Sequence, residues 1–330
     1  MAITSLKFFA FLAGIYLLYC FVPRKKRWLV LLGASLFFYV VCGSFRLFIV
    51  TLLQILVAYG VAIWTDKQRQ ENVSAKINTA GLLTCLAVLF QIGALLYYKE
   101  MNFFVTNGNI LLHLLGKESS LSFWQIVAPL GISYYTLSYI AYILDVYWGV
   151  VRPQRNFLKF CLFGIYFPIM VSGPITRYQE MERNLYAGNR ADYQGFCFGL
   201  QRILWGLFKK LVIADRMAPI IQAIWSGEFY GVCVLVGVLG YAWQLYMDFS
   251  GCMDVVLGAS ELFGIRLPEN FNTPLYATSL SEYWRRWHIT LGAWVKDYVM
   301  YPILKTKSLQ TLSKKWKKKY GKKIGKKMTT

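Results

Sequence analysis

Long apolar runs alternate with short charged loops through most of this chain. The pattern predicts membrane-spanning helices near 6–22, 28–43, 47–65 and 79–98, each long enough, or nearly so, for a hydrocarbon core of about 30 Å. An irregular segment with Asn107, Gly108, Asn109 and His113 follows. Further spans are expected near 131–148, 157–171, 197–214, 229–247 and 252–265. The run 283–304 is apolar but studded with charge. The expectation is an all-α, polytopic transmembrane bundle of roughly 8–10 membrane segments. The run 157–171 is short and holds Gly164 and Pro168, so it either spans or enters and returns. Non-helical backbone at that depth survives only when buried in protein or lining a water-filled cavity.

Loop charge sets orientation, because cytoplasmic loops carry the excess of Lys and Arg. Arg24 to Arg27 follow the first span, only Arg46 follows the second, and Lys67, Arg69 and Lys76 follow the third. The N-terminus is therefore expected outside, with the 24–27 and 66–78 loops cytoplasmic. Arg152 and Arg155 join them if 103–130 does not cross. The basic cluster at 24–27 has no small-residue cleavage site before it, so 6–22 reads as a retained helix rather than a cleaved signal peptide.

Composition agrees with a membrane protein. The 330 residues are 57% hydrophobic, 17% aromatic and 16% charged, where a soluble chain carries about 25% charged residues. The net charge of +20 is concentrated late: Lys305 to Lys327 hold eleven lysines and no acid. Beside so much apolar sequence, such a segment is expected against anionic lipid rather than nucleic acid. No internal repeat or soluble domain stands out. The expected division is a membrane domain over 1–304 and a lysine-rich cytoplasmic loop or tail over 305–330. The seven cysteines form no C-x-x-C pair and sit in apolar runs, so they read as small buried hydrophobes, without metal or disulfide.

Polar residues inside the apolar runs are the candidates for chemistry. In "SLSEYWRRWHITLGAW", 279–294, Ser279 and Glu282 have the spacing of a capping box and predict a helix start. On a continuous helix Trp284, His288, Leu291 and Val295 share one face. An imidazole lining a pocket suits general-base work; the alternative is a structural histidine with Arg285 and Arg286 reaching to headgroups. Asp248, Asp254 and Glu261 lie in an apolar setting and need partners, for which Arg285 and Arg286 are the natural candidates. "PENFN" is a turn in which Asn270 and Asn272 can cap backbone. In "YFPIMVSGPITRYQEM", 166–181, Pro168, Gly173 and Pro174 break the helix. Arg177 just after them reads either as an anion site or as an interfacial anchor. His113 reads as structural. No Walker A, H-E-x-x-H or G-x-S-x-G motif occurs, which argues against nucleotide hydrolysis and metalloprotease chemistry.

Five stretches in this order resemble the membrane-bound O-acyltransferase family, and its bacterial alginate O-acetyltransferase branch in particular. They are "PLGISYYTLSYIAYILDVYWG" (129–149), "YFPIMVSGPITRY" (166–178), "RILWGLFKKLVIADR" (202–216), "QLYMDFSGCMDVVLGASELFGIRLPENFNTP" (244–274) and "SEYWRRWHITLGAWVKDYVMYPI" (281–303). The resemblance implies a multi-pass protein of the bacterial plasma membrane, with re-entrant segments around a tunnel. It implies acetyl transfer from a cytoplasmic donor, acetyl-CoA or a similar activated carrier, with no bound cofactor. The implied acceptor is an extracytoplasmic polysaccharide or cell-wall polymer, reached through an extracytoplasmic partner acyltransferase. D-alanyl transfer to teichoic acid is the neighbouring reaction. His288 falls on the family's tunnel histidine. Asp254, Asn270, Arg285 and Arg286 fall near the tunnel, and Trp284, Trp287 and Arg177 are expected to line it. The family's second histidine, in a W-H-G setting downstream of the lysine-rich loop, is missing here. The expectation is a C-terminally truncated reading frame, which leaves open whether the chain as written is active. Interrupted helices and buried charge would also suit a transporter, and truncation a non-catalytic partner.

Overall fold

The computed structural model describes residues 2–71, 79–117, 121–189 and 192–316. The lysine-rich stretch beyond Trp316 lies outside them. Among the described residues the fold is all-α, without strands. The chain divides into two compact units, one up to Pro268 and one from Glu269 onward.

The first unit opens with α1 (Leu6–Phe21), α2 (Arg27–Cys42), α3 (Phe45–Gln70) and α4 (Thr79–Leu95), where apolar runs were expected. At Leu96–Glu100 the last of these widens into a π turn and continues as α5 (Met101–Leu114). Asn107, Gly108 and Asn109 are thus helical, contrary to the irregular segment expected. Their polar groups find local partners: Asn107 Nδ2 donates to the Phe103 carbonyl at 2.8 Å, and Asn109 pairs with Leu121. The chain then returns along α5 as an extended strap. After α6 (Ile132–Trp148) come α7 (Phe157–Ile165), α8 (Phe167–Ser172) and α9 (Tyr178–Tyr186). Next is α10 (Tyr193–Leu207), continued through a wide turn at Phe208–Ala214 into α11 (Asp215–Ala223), and then α12 (Val232–Glu261). The spans expected at 229–247 and 252–265 are one helix of 30 residues.

Among the described residues, three helices are long and apolar enough to cross a membrane: Phe45–Gln70, Thr79–Leu114 and Val232–Glu261; Leu6–Phe21 and Phe157–Ser172 are shorter apolar segments. Of the cysteines, Cys20, Cys85 and Cys233 are exposed rather than buried. They lie on the outer faces of apolar helices, which a lone chain leaves uncovered.

Three features hold this unit together. Aromatic rings fill its centre: Phe8, Phe38, Phe160, Phe163, Phe167 and Phe263 are all nearly or fully buried. Polar side chains bridge the helices within that apolar setting. Gln54 on α3 donates to Gln91 on α4 at 2.9 Å and to Thr136 on α6 at 3.2 Å, and Thr51 meets Tyr39 and Tyr135. In a low-dielectric interior such bonds are glue, because the alternative is an unpaired polar group. Finally, α10 crosses α12 where glycines face each other. A Cβ on Gly206 would lie 2.6 Å from the Gly251 carbonyl oxygen, and one on Gly258 would lie 2.6 Å from that of Gly199. Any side chain there would force the backbones apart, so Gly251 and Gly258 serve the crossing within one continuous helix.

One end of the unit gathers the basic residues. Arg27 donates to the Val22, Cys20 and Asn189 carbonyls. Arg69 reaches the carbonyls of Val146 and Tyr147 at the end of α6, where the helix dipole favours a cation. Arg155 pairs with Asp66 at 2.6 Å. Arg155 therefore joins the 66–69 end of the unit.

The break at Tyr166 between α7 and α8 is fully buried. Pro168 needs no N–H partner there, and the Phe167 N–H is received by Ser35 Oγ of α2 at 3.0 Å. Ser35→Ala should leave that amide unpaired and cost about 1–3 kcal/mol. Thermal unfolding in detergent should show a lowered midpoint, with Ser35→Thr closer to wild type.

Candidate functional site

The candidate site is built within the second unit, and its frame is the chain reversal around α13 (Leu280–Arg286) and α14 (Ile289–Val295). Ser279 caps α13 by accepting the Glu282 N–H at 3.2 Å. The Glu282 carboxylate reaches back to the Thr278 N–H (2.9 Å) and hydroxyl (2.8 Å) rather than to Ser279 itself. It also pairs with Arg286 at 2.5 Å. The Thr278 amide and hydroxyl, then Arg286, hold this carboxyl down at about 2.

The continuous helix expected through 284–295 does not form. α13 ends at Arg286, Trp287 is extended, and His288 takes a left-handed backbone conformation with φ 45° and ψ 53°. Trp284, His288, Leu291 and Val295 consequently share no helical face. Only Thr273 and His288 among the described non-glycine residues have positive φ. That conformation costs of order 1–3 kcal/mol and persists only where surrounding structure enforces it.

The enforcing structure is the segment 270–272. The Asn270 carbonyl accepts the Ile289 N–H at 2.9 Å, and the Asn272 N–H donates to the Arg286 carbonyl at 2.9 Å. Two backbone bonds therefore bracket Trp287 and His288. The Trp287 ring is held by Tyr283, stacked at 5.8 Å, and by the edge of Phe271 at 5.0 Å. Asn270 is almost fully buried. Its Oδ1 accepts the Thr290 N–H at 3.2 Å and the Thr290 hydroxyl at 2.9 Å, and lies 3.1 Å from His288 Nδ1.

Those contacts assign the imidazole tautomer. A backbone N–H can only donate, so the amide atom facing Thr290 is the oxygen. Nδ1 meets the same oxygen and therefore carries the proton. In the neutral ring Nε2 is then the basic nitrogen. Burial pushes the His288 pKa below the ordinary histidine value, which keeps the ring neutral near pH 7. Such an imidazole can take a proton from a hydroxyl and return it.

The other expected residues fall as follows. Arg286 is part of this unit's frame, through Glu282 and through Thr273, whose hydroxyl lies 3.3 Å away. Trp284 and Arg285 are exposed. Asp254 belongs to the first unit, and its partners are Arg202 at 3.1 Å and Lys209, not Arg285 and Arg286. Asp248 pairs with Lys210 at 2.7 Å, and Glu261 faces Arg266 at 3.5 Å. Arg177 stands at the start of α9 beside Glu180, directly after the buried segment 173–176. Sequence reasoning passed over Thr290, Arg202 and Lys209. The seven-residue spacing of Arg202 and Lys209 inside an apolar run was the available signal for a shared helix face. Nothing local marked Thr290. Among the described residues no cluster of His, Cys, Asp and Glu could hold a metal.

The buried cluster has a measurable consequence. Asp254→Asn should leave Arg202 and Lys209 without their carboxylate and cost about 3–5 kcal/mol. Thermal unfolding of Asp254→Asn, and of that change combined with Lys209→Met, checks it. The double variant should recover much of the loss.

The model of the membrane-bound O-acyltransferase family matches residues 150–314. Over 293 residues the chain is 34% identical to the probable alginate O-acetylase AlgI of Azotobacter vinelandii, covering 88% of this chain and 57% of that protein. It is 31% identical to the peptidoglycan O-acetyltransferase of Helicobacter pylori, covering 91% of this chain and 61% of that protein. To the teichoic acid D-alanyltransferase of Bacillus subtilis it is 30% identical over 181 residues, 53% of this chain and 45% of that protein. The chain thus spans little more than half the length of the acetyltransferases it matches.

Proposed function

This chain belongs to the membrane-bound O-acyltransferase family, and from that membership we propose that His288 is the general base of an acyl transfer to a polymer hydroxyl. The observation that carries the reading is the shared acceptor Asn270 Oδ1, which leaves Nε2 of a half-buried imidazole unprotonated. The donor we propose is a cytoplasmic acetyl thioester, acetyl-CoA or a similar carrier. The proposed acceptor is an extracytoplasmic polysaccharide or cell-wall polymer, in keeping with the alginate and peptidoglycan O-acetylation for which those relatives are named. Acetyl is favoured over D-alanyl because the acetyltransferases match far more of this chain.

In the proposed reaction Nε2 takes the proton from the acceptor hydroxyl as its oxygen attacks the thioester carbonyl. The tetrahedral intermediate collapses with cleavage of the C–S bond. The imidazolium returns the proton to the departing thiolate, so the histidine ends neutral. The Nδ1–H bond to Asn270 holds the ring through both transfers. Trp284, Arg285 and Trp287 are proposed to line the donor or acceptor path beside His288, with Arg286 framing it, and Arg177 and Asp254 are proposed as substrate-lining residues of the first unit. The protein is proposed to sit in the bacterial plasma membrane as a multi-pass protein, with an extracytoplasmic acyltransferase as partner and anionic lipid along the lysine-rich segment.

Transfer from a labelled acetyl thioester to a soluble oligosaccharide, by protein reconstituted in vesicles, tests the reading. His288→Ala should lower the rate about 10²- to 10⁴-fold; a wild-type rate in that variant would overturn it. The pH profile is a second check. Because the folded-state pKa of His288 lies below the ordinary value, the base stays deprotonated to lower pH. The acid limb of kcat/KM should therefore fall below about pH 6.5. Asn270→Ala frees the tautomer, and its rate should drop at every pH.

A further inference from the structure

At the end of the first unit opposite its basic loops lies an open groove of about 620 Å³. α3 runs from Phe45 beside the groove to Lys67 and Arg69 at the basic end. α4 begins at Thr79, hydrogen-bonded to Gln68 of that basic end, and climbs roughly 27 Å at 1.5 Å per residue to Tyr97. With the basic end cytoplasmic, the groove opens on the extracytoplasmic side.

Its walls are unusually well fixed for a surface feature. Tyr97 and Tyr98 come from the π turn in the α4–α5 helix, a local widening that often marks functional positions. The facing wall is the extended strap 121–127, with Trp124 in its middle. Asn102 receives the Trp124 N–H at 2.9 Å and donates to its carbonyl at 3.0 Å. Asn109, two turns along the same helix, does the same for Leu121, at 2.6 and 2.9 Å. The two amides act as substitute strand partners and hold the strap in register. The Tyr97 and Trp124 rings lie 6.4 Å apart at 84°, and each is about half exposed, 42% and 48%. Among the lining residues the one charged side chain is Arg46 at the start of α3; Gln125 and Ser44 add hydrogen-bonding groups.

We propose that this groove is a binding subsite for an anionic sugar unit of the acceptor polymer. A saccharide offers apolar C–H faces to aromatic rings and hydroxyls to amides. A carboxylate on it would meet the Arg46 guanidinium, whose planar fork suits that group. Rings fixed at right angles in a concave wall fit a ring-shaped ligand better than they fit the flat belt of a membrane anchor. His288 is not among the residues that line the groove, so this subsite would hold the polymer rather than react with it. The proposal rests on the polymer-acceptor reading above, and the experiment keeps the two apart.

Binding of a short oligouronate to the full chain in nanodiscs, without acyl donor, is read from Trp fluorescence and calorimetry. A neutral oligosaccharide of equal length is the control. Saturable binding of the oligouronate is expected, weakened about tenfold or more by Arg46→Gln and by Trp124→Ala. Arg46 is exposed, so Arg46→Gln should fold normally even where Trp124→Ala does not. Equal binding of the neutral sugar, or affinity unchanged by Arg46→Gln, would overturn the subsite. So would competition by anionic lipid in the nanodisc, which would assign the groove to a headgroup. His288-dependent transfer to a monosaccharide acceptor should be unchanged by Arg46→Gln. Absence of saturable oligouronate binding by the unaltered chain, with that transfer intact, condemns only the subsite, whereas His288-independent transfer condemns only the catalytic reading.

Discussion

Every polar group that this chain takes out of water needs a partner, and the architecture follows from how those partners are supplied. Backbone amides at a helix break, a carboxylate between two helices and the amide of Asn270 all face the same penalty, a few kcal/mol for each unpaired group. Ser35 answers it at the α7–α8 break, Gln54 and Gln91 between α3 and α4, and Arg202 with Lys209 at Asp254. In each case the partner comes from a different element. Polar satisfaction is therefore a long-range constraint here, and it fixes which helices can be neighbours more tightly than apolar packing does. Lipid-facing Leu and Val tolerate many arrangements, whereas a carboxylate between two cations tolerates one.

The glycine crossing shows the two kinds of constraint acting together. Gly199 and Gly206 on α10 meet Gly258 and Gly251 on α12, with backbone atoms in contact range. Asp254 lies between the two contact points on α12, and Arg202 between those on α10. The close approach brings the charges within reach of one another, and the charges in turn specify the register of the crossing. An apolar pair of helices could slide by a turn at little cost; this one would strand three ionic groups.

Apolar run length made α1 to α4, α6 and the broken α7–α8 segment legible in the sequence, because a membrane imposes nearly the same length on each. The same rule failed where glycines and asparagines have tertiary partners. The expected spans 229–247 and 252–265 left a gap at 248–251, and packing of Gly251 and Gly258 against α10 carries the helix straight through. Asn107 to Asn109 suggested a loop, and local and strap hydrogen bonds keep them helical. Ser279 announced the start of α13 because a cap is a local device. The end of that helix was not readable, since the left-handed turn at His288 is enforced by residues 270–272, more than a dozen positions away. His288 and Asn270 drew notice by residue type and family resemblance, but their mutual hydrogen bond depends on that turn. Arg285 and Arg286 could not be told apart by sequence, yet one is exposed and the other paired with Glu282.

The strained conformation of His288 is what lets Asn270 serve two purposes. On a continuous helix residues 288 and 290 would point some 200° apart, and one amide oxygen could not meet both. With φ at 45° the chain turns back at His288, so that Nδ1 and the Thr290 N–H and hydroxyl converge on Asn270 Oδ1. The Thr290 N–H settles which amide atom faces the ring, and that atom settles which ring nitrogen carries the proton. A backbone strain of a few kcal/mol is thereby converted into a single tautomer, with its basic nitrogen directed away from Asn270. A histidine held only by packing would divide its population between two tautomers, one of which presents the wrong nitrogen. The sequence W-H-I-T thus reads as more than a histidine among aromatics: the threonine two residues on is part of the device that fixes the imidazole tautomer.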